Sequence, residues 1–235
     1  GAVNATPAMV RYAGPQAGEV VRAHPEVVAT QTLADAGRVQ AWVFGPGAGT
    51  DEAAAEELRW VLDQEVPVLI DADGLTLLAQ HSNLREQVAQ REQLTVLTPH
   101  DGEFARLCEA ADVGESDRMA ETIALASALQ CTVVRKGRVT VIAHEDDPHT
   151  AYAIDAGHSW AATPGSGDVL AGIAGAHLAL MHAKSLLEEV TLAGAVAVHA
   201  LAAKLAAATP FGDATAPASR IAEFIRPASA MMRND

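Results

Sequence analysis

Within its last third the chain carries Thr163-Pro164-Gly165-Ser166-Gly167-Asp168, an acid set behind two glycines at the head of a long apolar run. Gly165 and Gly167 let the backbone turn sharply and approach a ligand, and the free N–H groups of a following helix then point at an anion. A carboxylate is a poor neighbour for phosphate. Among such amides, Asp168 suits a base that takes the proton of a hydroxyl about to attack phosphorus. Without a ligand, the same residue reads as a helix N-cap after a glycine turn. On this segment alone both readings stand.

The familiar nucleotide motifs are absent. Gly45-Pro46-Gly47-Ala48-Gly49-Thr50 has its third glycine in the wrong place for a dinucleotide fingerprint, and no acid follows at the usual separation after a second strand. No Gly-Lys-Ser or Gly-Lys-Thr marks a Walker loop, and protein-kinase catalytic loops are missing. Phosphate chemistry here needs another solution.

The elements that must position these residues alternate. Val39 to Phe44 reads as a buried strand, followed by an amphipathic helix from Glu52 to Gln64 with Leu58, Val61 and Leu62 on one side. Val66 to Ile70 is the next strand, Gly74 to Gln80 a helix, Leu94 to Leu97 a strand and Asp101 to Ala110 a helix. Repeated strand, turn and helix predict an α/β fold with a mostly parallel sheet covered on both faces, and ligands bind at the carboxyl ends of such strands. The polar and glycine-rich punctuation falls there: Gly45 to Thr50, Asp71 to Gly74 and Thr98 to Glu103. Asp71 and Asp73 are either turn formers or organisers of water, Mg²⁺ or the Thr98 to Glu103 loop. Cys131 to Arg135 and Val139 to Ala143 flank Lys136-Gly137-Arg138 and predict a hairpin turning at the glycine. A short strand is expected near Ala151 to Ile154, then helices over Asp168 to His182, Leu186 to Ala208 and Ala218 to about Ala230. With no linker of low complexity and no internal repeat, residues 1–235 read as a single domain.

A formal charge of −14 over 235 residues argues against a nucleic-acid partner, which needs a basic face. A small anion needs only local positive potential, which helix N-termini and one or two cations supply. Glu188, Glu189, His199 and Lys204 interrupt the Ala-rich stretch from Leu186 to Ala208, against insertion in a membrane. Gly1 to Met9 lacks the basic residue and apolar run of a signal peptide. Cys108 and Cys131 sit in apolar surroundings without metal spacing; they read as buried thiols in a reducing compartment, the cytoplasm, and no metal-ligating set is assigned.

In order along the chain, GPGAGT (45 to 50), DADGL (71 to 75), LTPHDGEFARL (97 to 107), VVRKGRVTVIA (133 to 143) and TPGSGDVLAGI (163 to 173) resemble the bacterial ADP-dependent NAD(P)H-hydrate dehydratases. The resemblance covers nearly the whole chain. It implies the three-layer αβα ribokinase-like fold and a repair reaction, in which water added across the nicotinamide ring of NADH or NADPH is removed from the S epimer while ADP goes to AMP and phosphate. Hydroxide leaves poorly. Phosphorylating the ring hydroxyl creates a better leaving group, which the ring nitrogen lone pair then expels. By similarity Asp168 is the base, and Gly165, Ser166 and Gly167 bind the phosphoryl oxygens. The segment Lys136, Gly137, Arg138, Val139 and Thr140, with Gly167, holds the adenine nucleotide, and Gly47, Gly49, His100 and Asp168 face the hydrated nicotinamide nucleotide. ADP is the implied phosphoryl donor, with Mg²⁺.

Read without the family, Lys136 to Arg138 is a hairpin turn with solvated cations, and Gly47 and Gly49 belong to a tight turn that Asp51 caps. His100 is then an ordinary loop residue, and Glu103 a first-turn acid favoured by the helix dipole. Two departures from the family stand out. Asp101 replaces a usual proline, adding negative charge beside the substrate. The family's first strand and glycine-rich turn find no match, and Gly1 to Tyr12 reads as the helix that would follow them. No epimerase domain is recognised, so a separate epimerase is the expected functional partner; the Ala-rich helices suit a homo-oligomer. The alternatives are a ribokinase-like kinase for a vitamin precursor or sugar, and a non-catalytic adenine-nucleotide-binding protein.

Overall fold

The computed structural model describes residues 1–6, 8–184 and 188–232. In chain order, helix α1 (Ala2–Ala5) leads to strand β1 (Arg11–Ala13), α2 (Ala17–Ala23) and β2 (Val28–Thr30). Then come β3 (Trp42–Phe44), α3 (Glu52–Leu62), β4 (Val68–Ile70), α4 (Asp73–Gln80), α5 (Ser82–Ala89), β5 (Thr95–Leu97), α6 (Asp101–Ala110) and α7 (Arg118–Leu129). The hairpin strands β6 (Thr132–Arg135) and β7 (Val139–Ala143) are followed by β8 (Ala151–Asp155), α8 (Ser166–Lys184) and α9 (Glu188–Ala207). A small hairpin, β9 (Ala208–Thr209) and β10 (Gly212–Asp213), precedes α10 (Ala218–Glu223) and α11 (Ile225–Met231).

The main sheet runs in the order β3-β4-β5-β6-β7-β8, parallel from β3 to β6 and antiparallel from β6 to β8. Side chains alternate along each strand and find cover on both faces. Val68, Ile70, Leu97 and Val133 pack with Leu58, Leu77, Leu107 and Leu125 of α3, α4, α6 and α7. Their neighbours Leu69, Val96, Val134 and Ile142 face the other way, onto Leu170, Ile173, Ala195, Ala202 and Ile225 of α8, α9 and α11. This is the expected three-layer αβα architecture. Among the described residues no helix is long and apolar enough to cross a membrane.

The structure corrects several expectations. The Gly1 to Tyr12 helix is only Ala2–Ala5, and Arg11–Ala13 instead pairs in parallel with Val28–Thr30. Thr6, which precedes a proline in the sequence, is extended at φ −137° and ψ 145°, as sterics before proline favour. The last helix is broken at Phe224, because Pro227 has no N–H and crowds the carbonyl of Glu223. Helices α5 and α7 were not anticipated; Asp117, whose side chain accepts from the amides of Met119 and Ala120, marks the start of α7. Of the expected Leu186 to Ala208 helix, Leu186 and Leu187 lie outside the described residues.

At the carboxyl end of β3 the chain passes against the end of β4. Gly45 adopts φ +126°, and a Cβ there would lie 1.8 Å from the carbonyl oxygen of Asp71. Only glycine permits this approach. Gly45→Ala is therefore expected to cost about 3 kcal/mol or more in denaturant unfolding, combining backbone strain with overpacking. Gly114→Ala, where a methyl meets open space, should stay within about 0.5 kcal/mol of wild type. Equal stabilities of the two variants would contradict the packing described.

Candidate active site

The carboxyl ends of β4, β5 and β6 and the start of α8 surround a cavity of about 570 Å³. It brings together Asp168, Gly165, Ser166, Gly167, Lys136, Gly137, Arg138, Thr140 and His100, along with Asp71 and Glu103. Ile154, Ala156, Val196 and Ala200 give one side an apolar lining suited to a planar ring. Val139 is exposed and, with Gly47 and Gly49, is not part of this lining.

Gly165, at φ +81°, turns the chain into α8. The opening bonds run from the Ser166 amide to the Thr163 carbonyl (3.1 Å) and from Val169 to Gly165 (3.2 Å). Between them, the amides of Gly167 and Asp168 donate to no backbone carbonyl among the described residues. These two donors stand at the positive end of a 19-residue helix, where an anion is favoured. Ser166 does not share that geometry. Its amide is spent on Thr163, and its buried hydroxyl lies 2.9 Å from Nε2 of His199, also buried. The pair ties the start of α8 to α9, and burial pushes the His199 imidazole down to about 4 despite its bond to Ser166, with the Lys136 charge adding to the shift. Sequence reading noted His199 only as a polar interruption of an Ala-rich helix; no spacing marks its pairing with Ser166.

Lys136 is the more buried of the Lys136 and Arg138 cations that line the cavity. Its ammonium lies 2.6 Å from Oδ1 of the buried Asp71 and 3.8 Å from Oε2 of Glu103. It also abuts the first turn of α8: a Cβ built on Gly167 would come within 3.3 Å of Lys136 Nζ. Asp168 is exposed to the cavity, and its carboxyl is held above its ordinary pKa by burial first and then by the Asp71 charge, with Lys136 opposing. Asp73 takes a different task, accepting from the Gly49 amide at 2.9 Å and so bracing the glycine turn. Ala72 between them sits at φ +49° and ψ −118°, a strained conformation that sends the two carboxylates to different partners.

His100 and Glu103 form a capping box at the start of α6. His100 Nδ1 accepts from the amides of Gly102 (3.0 Å) and Glu103 (3.3 Å), and Glu103 Oε2 accepts from the His100 amide (2.8 Å). An accepting Nδ1 puts the ring N–H on Nε2, which lies 3.5 Å from Oε1 of Glu103. Asp101 is not an uncompensated charge. Burial alone would raise its pKa, but hydrogen bonds from Arg135 (2.8 Å) and Arg118 (2.6 Å) overcome this and hold it low.

Among the described residues, no three His, Cys, Asp or Glu side chains converge closely enough to hold a metal ion. Asp71 is occupied by Lys136 and Asp73 by Gly49. The described residues do not fit a protein-held Mg²⁺ cage.

The buried His199 makes stability depend on pH. A histidine whose pKa falls on folding binds protons better when unfolded. Its contribution is complete above pH 6.5 and is lost as the pH falls toward about 4. His199→Gln, which keeps a donor for Ser166 but does not titrate, should flatten this part of a urea-midpoint profile against pH. An unchanged acid dependence would place the titration elsewhere.

A family model described as NAD(P)H-hydrate dehydratase matches residues 1–226. A bifunctional NAD(P)H-hydrate repair enzyme of Corynebacterium glutamicum is 48% identical over 250 residues, covering 97% of this chain and 43% of that protein. The chain thus spans less than half the length of that relative. An ADP-dependent (S)-NAD(P)H-hydrate dehydratase of Neisseria meningitidis is 37% identical over 166 residues, covering 68% of this chain and 55% of the relative. An ADP/ATP-dependent NAD(P)H-hydrate dehydratase of Bacillus subtilis, co-crystallised with ATP and Mg²⁺, superposes with a TM-score of 0.76 at 23% identity, over 100% of this chain and 82% of the other. At that identity the likeness speaks for the ribokinase-like fold. The five ordered motifs, the architecture and the family match over residues 1–226 agree: the chain belongs to the NAD(P)H-hydrate dehydratase family.

Proposed function

We propose that this chain removes water from the S epimer of hydrated NADH or NADPH, using the terminal phosphoryl group of ADP. The observation that carries the proposal is one cavity in which a carboxylate with a raised pKa, Asp168, shares the lining with the Lys136 ammonium and two helix amides that meet no backbone carbonyl among the described residues. An acceptor for a proton and donors for an oxyanion thus share one site.

In this mechanism the Asp168 carboxylate takes the proton of the ring hydroxyl as the hydroxyl oxygen bonds to the β-phosphorus of ADP. The bond from that phosphorus to the bridging oxygen breaks, and AMP leaves. The amides of Gly167 and Asp168 bind the oxygens of the transferring group, and Lys136 balances their charge. The ring nitrogen lone pair then expels phosphate, and loss of a proton from the adjacent carbon restores the dihydronicotinamide. Gly137, Arg138 and Thr140 line the nucleotide's side of the cavity, and Ile154, Ala156, Val196 and Ala200 receive the adenine. His100 donates from Nε2 to the hydrated nucleotide. Gly47 and Gly49, outside the cavity lining, meet the substrate at the rim through the turn braced by Asp73.

The choice of ADP follows the motif resemblance and the ADP-dependent activity of the Neisseria relative. The same reading has residues 1–235 work as one dehydratase domain, as a cytoplasmic homo-oligomer beside an epimerase that supplies the S epimer. The bifunctional naming of the Corynebacterium relative accords with such a pairing.

Incubating the chain with racemic hydrated NADPH and ADP or ATP, while following the absorbance of reduced nicotinamide, tests reaction, donor and epimer together. Half of the substrate should be recovered as NADPH, with ADP as the better donor; recovery without nucleotide would refute the reading. Asp168→Asn should fold normally and turn over at least about 10²-fold more slowly, the usual worth of a general base. The wild-type rate should fall on acidification through an apparent pKa above the ordinary aspartate value of about 3.9, since the base acts only when ionised. A near wild-type rate in Asp168→Asn would remove this residue from the mechanism.

A further inference from the structure

We propose that Arg118 is a positioning residue of the nucleotide site, its forked guanidinium setting the Lys136-Gly137 turn relative to the start of α6. This rests on the reading of the cavity as a nucleotide site. Arg118 is the first residue of α7 and is not among the residues that line the cavity.

One nitrogen, Nη1, donates to Asp101 Oδ1 at 2.6 Å, at the head of α6. The other, Nη2, donates to the carbonyl of Lys136 at 2.9 Å and approaches that of Arg135 at 3.4 Å. A single rigid plane thus joins the helix that His100 caps to the backbone of the residue whose ammonium lies against α8. The origin of the side chain is itself fixed, because Asp117 caps α7 and Thr122 donates to the Arg118 carbonyl at 2.6 Å.

Gly137 records the same contact. A Cβ at that position would lie 2.7 Å from Arg118 Nη2 and 3.1 Å from the carbonyl oxygen of Val139, so the guanidinium is its nearest obstacle. Arg135 shares Asp101 with Arg118, its Nε donating to Oδ1 at 2.8 Å, while its Nη1 bonds to Glu121 at 2.7 Å and its guanidinium stacks 3.9 Å over Phe104. Arg118 differs in donating to the carbonyl of Lys136 in the turn itself. Lysine at position 118 has no planar fork with which to meet a carboxylate and a carbonyl at once.

A shift of the turn moves the Lys136 to Thr140 segment that lines the nucleotide's side of the cavity, and so weakens nucleotide binding. The core contribution of α7 comes from Thr122, Leu125, Ala126 and Leu129, so removing the Arg118 head group leaves that packing in place.

The test measures KM for the nucleotide, kcat and thermal midpoint in Arg118→Ala, Arg118→Lys, Gly137→Ala and the Gly137→Ala/Arg118→Ala double variant. Arg118→Ala should raise the nucleotide KM by about 10-fold while kcat stays within about threefold. Gly137→Ala should raise it too, and its effect should shrink in the double variant, where the added methyl enters space left by the guanidinium and meets only the Val139 carbonyl. Arg118→Lys should keep the wild-type thermal midpoint without recovering the wild-type KM. Multiplying effects in the double variant, or a wild-type nucleotide KM in Arg118→Ala, would overturn the proposal. If Arg118→Ala fails to fold, a wild-type KM in Arg118→Lys overturns it equally. A wild-type chain that binds neither ADP nor ATP would overturn the nucleotide-site reading itself, and this proposal with it; nucleotide turnover with unmoved variants overturns the positioning role alone.

Discussion

The contact between Lys136 and Asp71, 2.6 Å long and largely out of water, is the constraint around which the site is organised. A buried ion pair gains little over an apolar pair of the same shape, but losing one partner strands a charge at a cost of about 3 to 5 kcal/mol. That asymmetry forces the ends of β4 and β6 to stay together. It also brings a cation to the first turn of α8, where Gly167 leaves room for it. The site needs that cation because Asp71, Asp73 and Asp168 would otherwise oppose an incoming phosphate. Local arrangement thus answers the formal charge of −14: an acidic protein reads as a binder of anions because one ammonium and one helix end are aimed into a cavity.

The supporting structure distributes polar side chains so that each segment is held by another. Asp73 braces the glycine turn after β3, Glu103 and His100 cap α6 reciprocally, and Ser166 ties α8 to His199 on α9. The backbone strain at Ala72 belongs to the same economy of position, since an unstrained turn there would send both aspartates along one path. None of these contacts touches the reacting atoms in the proposed chemistry. They fix where Asp168, Lys136 and the two amides stand.

Much of this was legible in the sequence because its physics is local. The strands with alternating buried faces, the Asp51 cap of α3, the hairpin around Gly137 and the glycine entry into α8 each depend on a few adjacent residues. The TPHDGEF segment could be read as a helix start, and the structure shows both halves of its capping box. What was not legible depends on distant pairing. Nothing near Ser166 says that its hydroxyl is committed to a histidine 33 residues away, so it was read as a phosphate ligand. Asp101 read as surplus charge because Arg118 and Arg135 reach it from later in the chain. The opening residues were misread as one helix because a proline-proximal break and the parallel pairing of Arg11–Ala13 outweigh a short run of helix formers.

The proposed geometry makes the position of phosphorus decisive. In a crystal structure of Asp168→Asn with ADP and hydrated NADPH, the β-phosphate should lie within about 3 Å of the amides of Gly167 and residue 168, and of Lys136 Nζ. The ring hydroxyl should stand between that phosphate and the side chain at 168. A β-phosphate bound at the Gly47 and Gly49 turn, or a ring hydroxyl remote from position 168, would contradict the account.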